Sequence, residues 1–313
     1  MAKKSLRDQA RAMFKEHLAL KTSKADVETI GETTHKQFTS LRSFNEAAEA
    51  LGRIGERMGV SRLKHITTED AQRYLLERVN TLRQNKNVLH HATTSRYVSQ
   101  KTSDAERKAL SILLKTPLAK TETPLKTSTK PRSYTNEQIR EIQKYQTPKN
   151  ALSTRIAQNA GLRASELLTL RRKDELKITS NRSWNKDRFK GENGIKYVVT
   201  GKGGLIREVI LSKQLAHELE QQRRAEPATV LDRGIKFESY YDIVGGNAFS
   251  QSFSSASNRA LGFSNGAHGL RHQYVQSRMT KLKSMGHTEK SAKLIVSQEV
   301  GHFRASVTNV YLK

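Results

Sequence analysis

Residues 297–313 read SQEVGHFRASVTNVYLK, a Gly-His pair at 301–302 followed nine positions later by Tyr311. Upstream, residues 268–279 read HGLRHQYVQSRM, which sets His268 three positions before Arg271, and residues 161–168 read GLRASELL, which carry Arg163 and, three positions on, Glu166. Between them KYVVT and LIREVIL flank the turn GKGG at 201–204, with Lys202 in the turn; two β-branched runs around such a turn predict a hairpin. The order Arg163, Lys202, His268, Arg271, His302, Tyr311 collects the groups that phosphoryl transfer on a polynucleotide needs when neither cysteine nor a dense carboxylate cluster is present. Cationic side chains then do the charge stabilisation that metal ions do elsewhere. Taken singly, each has a plain structural reading. Arg163 and Arg271 suit helix-surface ion pairs, Lys202 suits an exposed turn, and Tyr311 suits a terminal aromatic packed on a core.

The composition points the same way. The chain has 313 residues, of which 56 are Lys or Arg and 30 are Asp or Glu, a formal charge of +26. Solubility asks for far less, so a polyanionic partner is expected. With no cysteine there is no disulfide framework, thiolate metal site or cysteine nucleophile. No apolar run approaches the roughly 18 residues that span a bilayer, and the first 20 residues carry charges where a signal peptide is apolar. The expectation is a soluble, cytoplasmic protein without a membrane partner.

The length predicts two domains. Residues 116–132, TPLAKTETPLKTSTKPR, hold three of the five prolines and read as a linker between 1–115 and 133–313. Basic residues outnumber acidic ones in both flanks and in the connector, which suggests a two-lobed clamp along a phosphate backbone. The first part reads as all helical. Phe38, Leu41, Phe44, Ala47, Ala48, Leu51 and Ile54 recur at three- and four-residue steps, and Thr67 with Asp70 forms a capping box. RQNKNVLHHATTSR, 83–96, reads as a basic, hydroxyl-rich loop. The second part opens with a capping box at Thr135 and Gln138, continues through 151–170 in helical period, and after the hairpin returns to helices to its end. Its fold class is therefore mainly α with one small antiparallel sheet (α+β).

GLRASELL, HGLRHQYVQSRM and SQEVGHFRASVTNVYLK together resemble the arginine box, the His-x-x-Arg helix and the Gly-His box with nucleophilic tyrosine of the tyrosine recombinases, the phage-type integrase family. By motif the resemblance covers 133–313; residues 28–115 share only the look of that family's helical core-binding domain, with 1–27 as an N-terminal arm. It implies a site-specific recombinase of a bacterial mobile genetic element, acting at the nucleoid and rejoining DNA strands through a 3′-phosphotyrosyl intermediate without ATP, metal or other cofactor. Tyr311 is then the nucleophile, Arg163 and Arg271 hold the phosphate, Lys202 protonates the leaving 5′-oxygen, His268 transfers a proton, His302 hydrogen-bonds the phosphate and Glu166 orients the site. The implied partners are double-stranded DNA, three further copies in a synaptic tetramer and an accessory directionality factor.

Two other functions share the charge pattern, a DNA-binding accessory protein of this fold and a type IB topoisomerase-like enzyme. His268, His272 and His302 also admit a zinc reading, although the Glu of a His-Glu-x-x-His motif is missing. From Arg271 to His302 the spacing exceeds the compact form of the family, which places an extra loop within 276–297 around KSMGHTEKSAK. Trp184 is expected beside the hairpin.

Overall fold

The computed structural model describes residues 4–20, 27–30, 34–87, 92–125 and 131–313; the side chains of His35, of 83–87 and 92–96, and of Lys202 lie outside that description. The chain divides into two compact units, residues 1–128 and 129–313. Among the described residues no helix is long and apolar enough to cross a membrane.

In the first unit, α1 (Leu6–Phe14) packs on α2 (Leu41–Met58), and α3 (Thr68–Asn80) and α4 (Gln100–Leu114) complete the helical core around Leu51, Ile54, Leu75 and Leu110. The close approach of α1 requires glycine on α2, since a Cβ at Gly52 would lie 2.6 Å from Arg7 Cγ. The segment read as an N-terminal arm therefore contributes Ala10 and Phe14 to the core. Thr67 and Asp70 form the expected capping box. Phe38 lies just before α2, whose N-cap is Ser40, and still joins the core, with its ring 5.2 Å from that of Phe14.

Short strands β1 (Thr29–Ile30) and β2 (Thr34–His35) pair antiparallel, as do β3 (Arg83–Asn87) and β4 (Ala92–Arg96). The second pair corrects the reading of 83–96 as a loop. Apart from Ala92 its strands are polar, so no apolar alternation marks them. Of the stretch read as a linker, 116–125 lies against α4. Leu118 is buried, Gln100 Nε2 donates to the Thr121 carbonyl at 2.9 Å, and Thr123 Oγ1 donates to the Val98 carbonyl at 2.6 Å.

The second unit begins with α5 (Asn136–Lys144), capped by the Thr135/Gln138 box, and α6 (Pro148–Asn159). Gly161 ends α6 in a left-handed conformation at φ 59°, where a Cβ would strike the Tyr274 ring. A 3₁₀ turn (Ala164–Thr169) leads to β5 (Arg171–Arg172), β6 (Ile195–Thr200) and β7 (Ile206–Leu211), an antiparallel sheet in which β6 and β7 form the predicted hairpin with Val198 opposite Glu208. After α7 (Lys213–Glu220) comes a second hairpin, β8 (Arg223–Asp232) and β9 (Ile235–Tyr241). This corrects the expectation of helices from the first hairpin to the end. Its turn is Arg233-Gly234 with positive φ at both residues, the backbone that Asn-Gly signals more openly.

Helices α8 (Gly246–Leu261), α9 (His268–Ser284), α10 (Glu289–Glu299) and the short α11 (Ala305–Thr308) complete the unit. The expected extra loop within 276–297 is instead mostly helix. Val275, Met279 and Leu282 on α9 pack against Ala292, Ile295 and Val296 on α10, with Gly286 and the Thr288 cap between them.

Glu106 illustrates how the first unit hides charge. It accepts from Arg78 Nε and Nη2 at 2.9 and 3.0 Å, from Tyr74 at 3.1 Å and from Arg57 Nη1 at 3.0 Å, and both Glu106 and Arg78 are buried. Because Glu106→Ala strands a buried guanidinium, it should destabilise the first unit by about 3 kcal/mol, against under about 1 kcal/mol for the partly exposed Arg57→Ala. Hydrogen exchange of α3 and α4 amides measures both; equal losses would contradict the assignment.

Candidate active site

Three arginines converge on one carboxylate. Glu166 is fully buried at the start of the 3₁₀ turn, where its Oε2 accepts from the Arg163 backbone N–H at 2.8 Å and so caps the turn. Its Oε1 accepts from Arg163 Nη1 at 2.7 Å, while Oε2 also accepts from Arg207 Nη2 at 2.8 Å and, more distantly, from Arg271 Nη1 at 3.4 Å. Burial would raise the Glu166 pKa, but Arg207, Arg271 and Arg163 outweigh it and hold the carboxyl down to about 2. Arg271 stands in the first turn of α9, its Nη1 donating to the Gly161 carbonyl at 2.7 Å and its Nη2 to the Val300 carbonyl. Burial, only partly offset by Glu166, lowers its pKa to about 10.

His302 and Tyr311 continue this cluster. The turn at 298–302 closes with His302 N–H donating to the Ser297 carbonyl at 2.6 Å, and Gly301 adopts φ 72° where a Cβ would lie 3.1 Å from Arg207 Cδ. His302 Nε2 lies 3.1 Å from Arg163 Nη2 and 3.3 Å from the Tyr311 hydroxyl. A guanidinium can only donate, so Nε2 is the bare nitrogen of a neutral ring and accepts from Arg163, with the tyrosyl O–H placed to share its single lone pair. Burial first, then Arg271 and Arg163, push the His302 pKa down to about 4.

Tyr311 is only 4% exposed. Its ring centroid lies 4.8 Å from His272, 5.7 Å from His268 and 5.9 Å from the Arg271 guanidinium carbon, and its carbonyl accepts from Gln276 Nε2 at 2.9 Å. Burial and then neighbouring cations, Arg271 for His268 and Arg132 for His272, lower their pKa values to about 3 and about 4. All three histidines are thus neutral at pH 7.

Of the residues singled out from sequence, Arg163, Glu166, His268, Arg271, His302 and Tyr311 come together here. The Lys202 side chain lies outside the described residues, but its turn borders the cluster: a Cβ on the preceding Gly201 would lie 3.1 Å from Glu166 Oε1. Among the described residues no three His, Cys, Asp or Glu side chains are grouped to hold a metal ion. Trp184 donates to the Thr179 carbonyl at 3.0 Å, next to the hairpin through Thr179 and Ile206, and packs on Phe303 with the Arg188 guanidinium above it. Sequence reasoning missed Arg207, Gln276 and the contact of His272 with Tyr311. The available signal for Arg207 was a lone arginine inside the apolar strand LIREVIL.

No protein-family model and no curated protein matches the sequence. Solved structures do match in fold. XerH site-specific recombinase bound to a palindromic difH substrate, in a post-cleavage complex, aligns at TM-score 0.50 and 18% identity over 87% of this chain and 76% of its own. A lambda integrase dimer bound to a COC′ core site aligns at TM-score 0.54 and 12% identity, over 88% and 72%, and a lambda integrase tetramer bound to a Holliday junction at 0.53 and 13%, over 87% and 72%. The chain has the tyrosine-recombinase fold, a helical N-terminal domain with a mainly helical catalytic-type domain and small antiparallel sheets.

The histidines give this site a pH signature. Their folded pKa values of about 3 to 4 lie below the 6.5 of an unperturbed imidazole, so between those limits the unfolded chain binds more protons. Stability is therefore complete above pH 6.5 and declines as pH falls toward 4. Glu166, lowered from 4.5 to about 2, adds its own loss only below pH 4.5. Urea midpoints reported by Trp184 fluorescence should fall from pH 7 to pH 5, and fall less in His268→Gln; parallel profiles would contradict the neutral assignment.

Proposed function

We propose that this chain is a site-specific DNA recombinase of the integrase type, which cuts and rejoins DNA strands through a 3′-phosphotyrosyl intermediate. The observation that carries the reading is one unbroken hydrogen-bonded line from Glu166 through Arg163 and His302 to the Tyr311 hydroxyl, with Arg271 beneath the ring. The fold likeness to recombinases bound to core-site DNA and to a Holliday junction supports it, as does the +26 charge.

In this reading Arg163 and Arg271 grip the non-bridging oxygens of the scissile phosphate by charge-assisted hydrogen bonds, a geometry lysine does not reproduce. Tyr311 Oη attacks phosphorus, its bond to phosphorus forms as the P–O5′ bond breaks, and the phenolic proton passes to a neutral imidazole. His302 lies at the hydroxyl and His268 flanks the ring, so both are in the protonation state that accepts it. Lys202, carried on a turn whose Gly203 and Gly204 have positive φ, gives the 5′-oxygen its proton. Attack by a partner strand's 5′-hydroxyl reverses each step, so bond energy is conserved and the natural assembly is a tetramer on paired sites.

Covalent capture tests the reading. Wild type and Tyr311→Phe are incubated with genomic DNA of the source, denatured, and the DNA retained on protein is sequenced. Wild type alone should retain DNA at discrete positions, and Arg163→Ala should lower adduct formation by about 10²- to 10³-fold while still binding DNA. Wild type without adduct beside an active control recombinase favours a DNA-binding accessory role. Adduct formation that relaxes supercoils but never joins two sites favours a topoisomerase-like enzyme.

A further inference from the structure

We infer that Arg207 is a positioning residue, which absorbs the charge of Glu166 and seats the His302 turn so that the positive charge of Arg163 and Arg271 is not spent on that carboxylate. The inference rests on the recombinase reading for its reaction, but its anion-site part stands on geometry alone.

Arg207 lies on β7, five positions after Lys202, and is fully buried. A buried guanidinium is tolerated only when its charge and donors are met. Here Nη2 meets Glu166 Oε2 at 2.8 Å and Nη1 meets the Glu299 carbonyl at 2.6 Å, leaving Nε without a partner. The division of labour on Glu166 follows from distances. Arg163 occupies Oε1 at 2.7 Å and Arg207 occupies Oε2, whereas Arg271 reaches the same oxygen only at 3.4 Å. Arg207 therefore takes up carboxylate charge that would otherwise draw Arg271 inward and cancel it. With one anion among three cations the cluster keeps a positive surplus.

The same side chain fixes the His302 turn. Arg207 holds the Glu299 carbonyl, Arg271 holds the next one at Val300, and a Cβ on Gly301 would lie 3.1 Å from Arg207 Cδ. One residue thus ties the Lys202 hairpin, the Glu166 cap and the turn that presents His302. Glu299 is itself fixed from its other side by Arg278, Tyr274 and the Phe189 N–H.

The test uses the full chain with Arg207→Met, Arg207→Lys and the pair Arg207→Met/Glu166→Gln. Each is checked for native circular dichroism, and two readouts are taken: adduct formation per bound duplex, and affinity for inorganic phosphate by calorimetry at low salt. Arg207→Met should lower adduct formation at least about 100-fold while changing duplex affinity less than about threefold, and should weaken phosphate binding about tenfold. Removing the carboxylate charge as well should recover at least about tenfold of the cleavage and most of the phosphate affinity, a rescue that loss of packing does not produce. Arg207→Lys, which keeps charge but not two-pronged donation, should fall between, and it carries the test if Arg207→Met does not fold. A folded single variant with unchanged cleavage and phosphate binding, or a double variant no better than the single, overturns the inference. If wild type forms no adduct yet phosphate binding is lost and restored across the series, the recombinase reading fails and this one stands.

Discussion

The buried carboxylate of Glu166 is the interaction on which the second unit turns. Three guanidinium groups in one water-poor place repel one another, and the fold tolerates them because a single anion sits among them and main-chain carbonyls of Gly161, Glu299 and Val300 take up further donors. The compensation is incomplete by one sign. A positive surplus remains beside Tyr311, and burial first, with nearby cations second, keeps the three neighbouring imidazoles neutral.

Local backbone features bring these groups together from distant parts of the chain. Gly161 reverses the chain after α6 so that Arg163 begins the next turn, and Gly301 does the same after α10 for His302. Arg271 stands in the first turn of α9, the end of a helix that disfavours a cation. Its position is therefore held by partners outside the helix, Glu166 and two carbonyls. Gln276, further along α9, fixes the main chain of Tyr311.

The parts of this arrangement legible in sequence are those in which chemistry and spacing coincide. Gly-His with a tyrosine nine residues on, and His-x-x-Arg, are readable because few structural demands produce them together. The β6–β7 hairpin and both capping boxes are readable because a few adjacent residues determine them. The β3–β4 hairpin is not, since its strands carry no apolar alternation, and β8–β9 is not, since Arg-Gly is a faint version of its turn. The loop expected within 276–297 fails for another reason. Spacing between motifs measures how many residues intervene and says nothing of whether they are coiled or helical, while the apolar period through Leu282 and Ile295 does. Arg207 was illegible in a deeper sense: its meaning depends on a carboxylate 41 positions earlier and a carbonyl 92 positions later.

Burial of Tyr311 bears on how charge and site work together. Arg271 is fully enclosed and Tyr311 nearly so, with the ring packed between Arg271 and two histidines. A phosphodiester cannot contact Arg271 while that packing persists, so the ring contacts and the substrate contacts compete for the same space. In the proposed recombinase reading the work of exchanging one for the other comes from binding elsewhere on the duplex, which is the use to which remote binding energy is put when it raises reactivity instead of affinity. A surplus of +26 distributed over both units supplies such energy without reading sequence. In the proposed function the +26 charge would draw DNA to the chain, and a phosphate reaching Arg271 would have to replace the tyrosine's own contacts there.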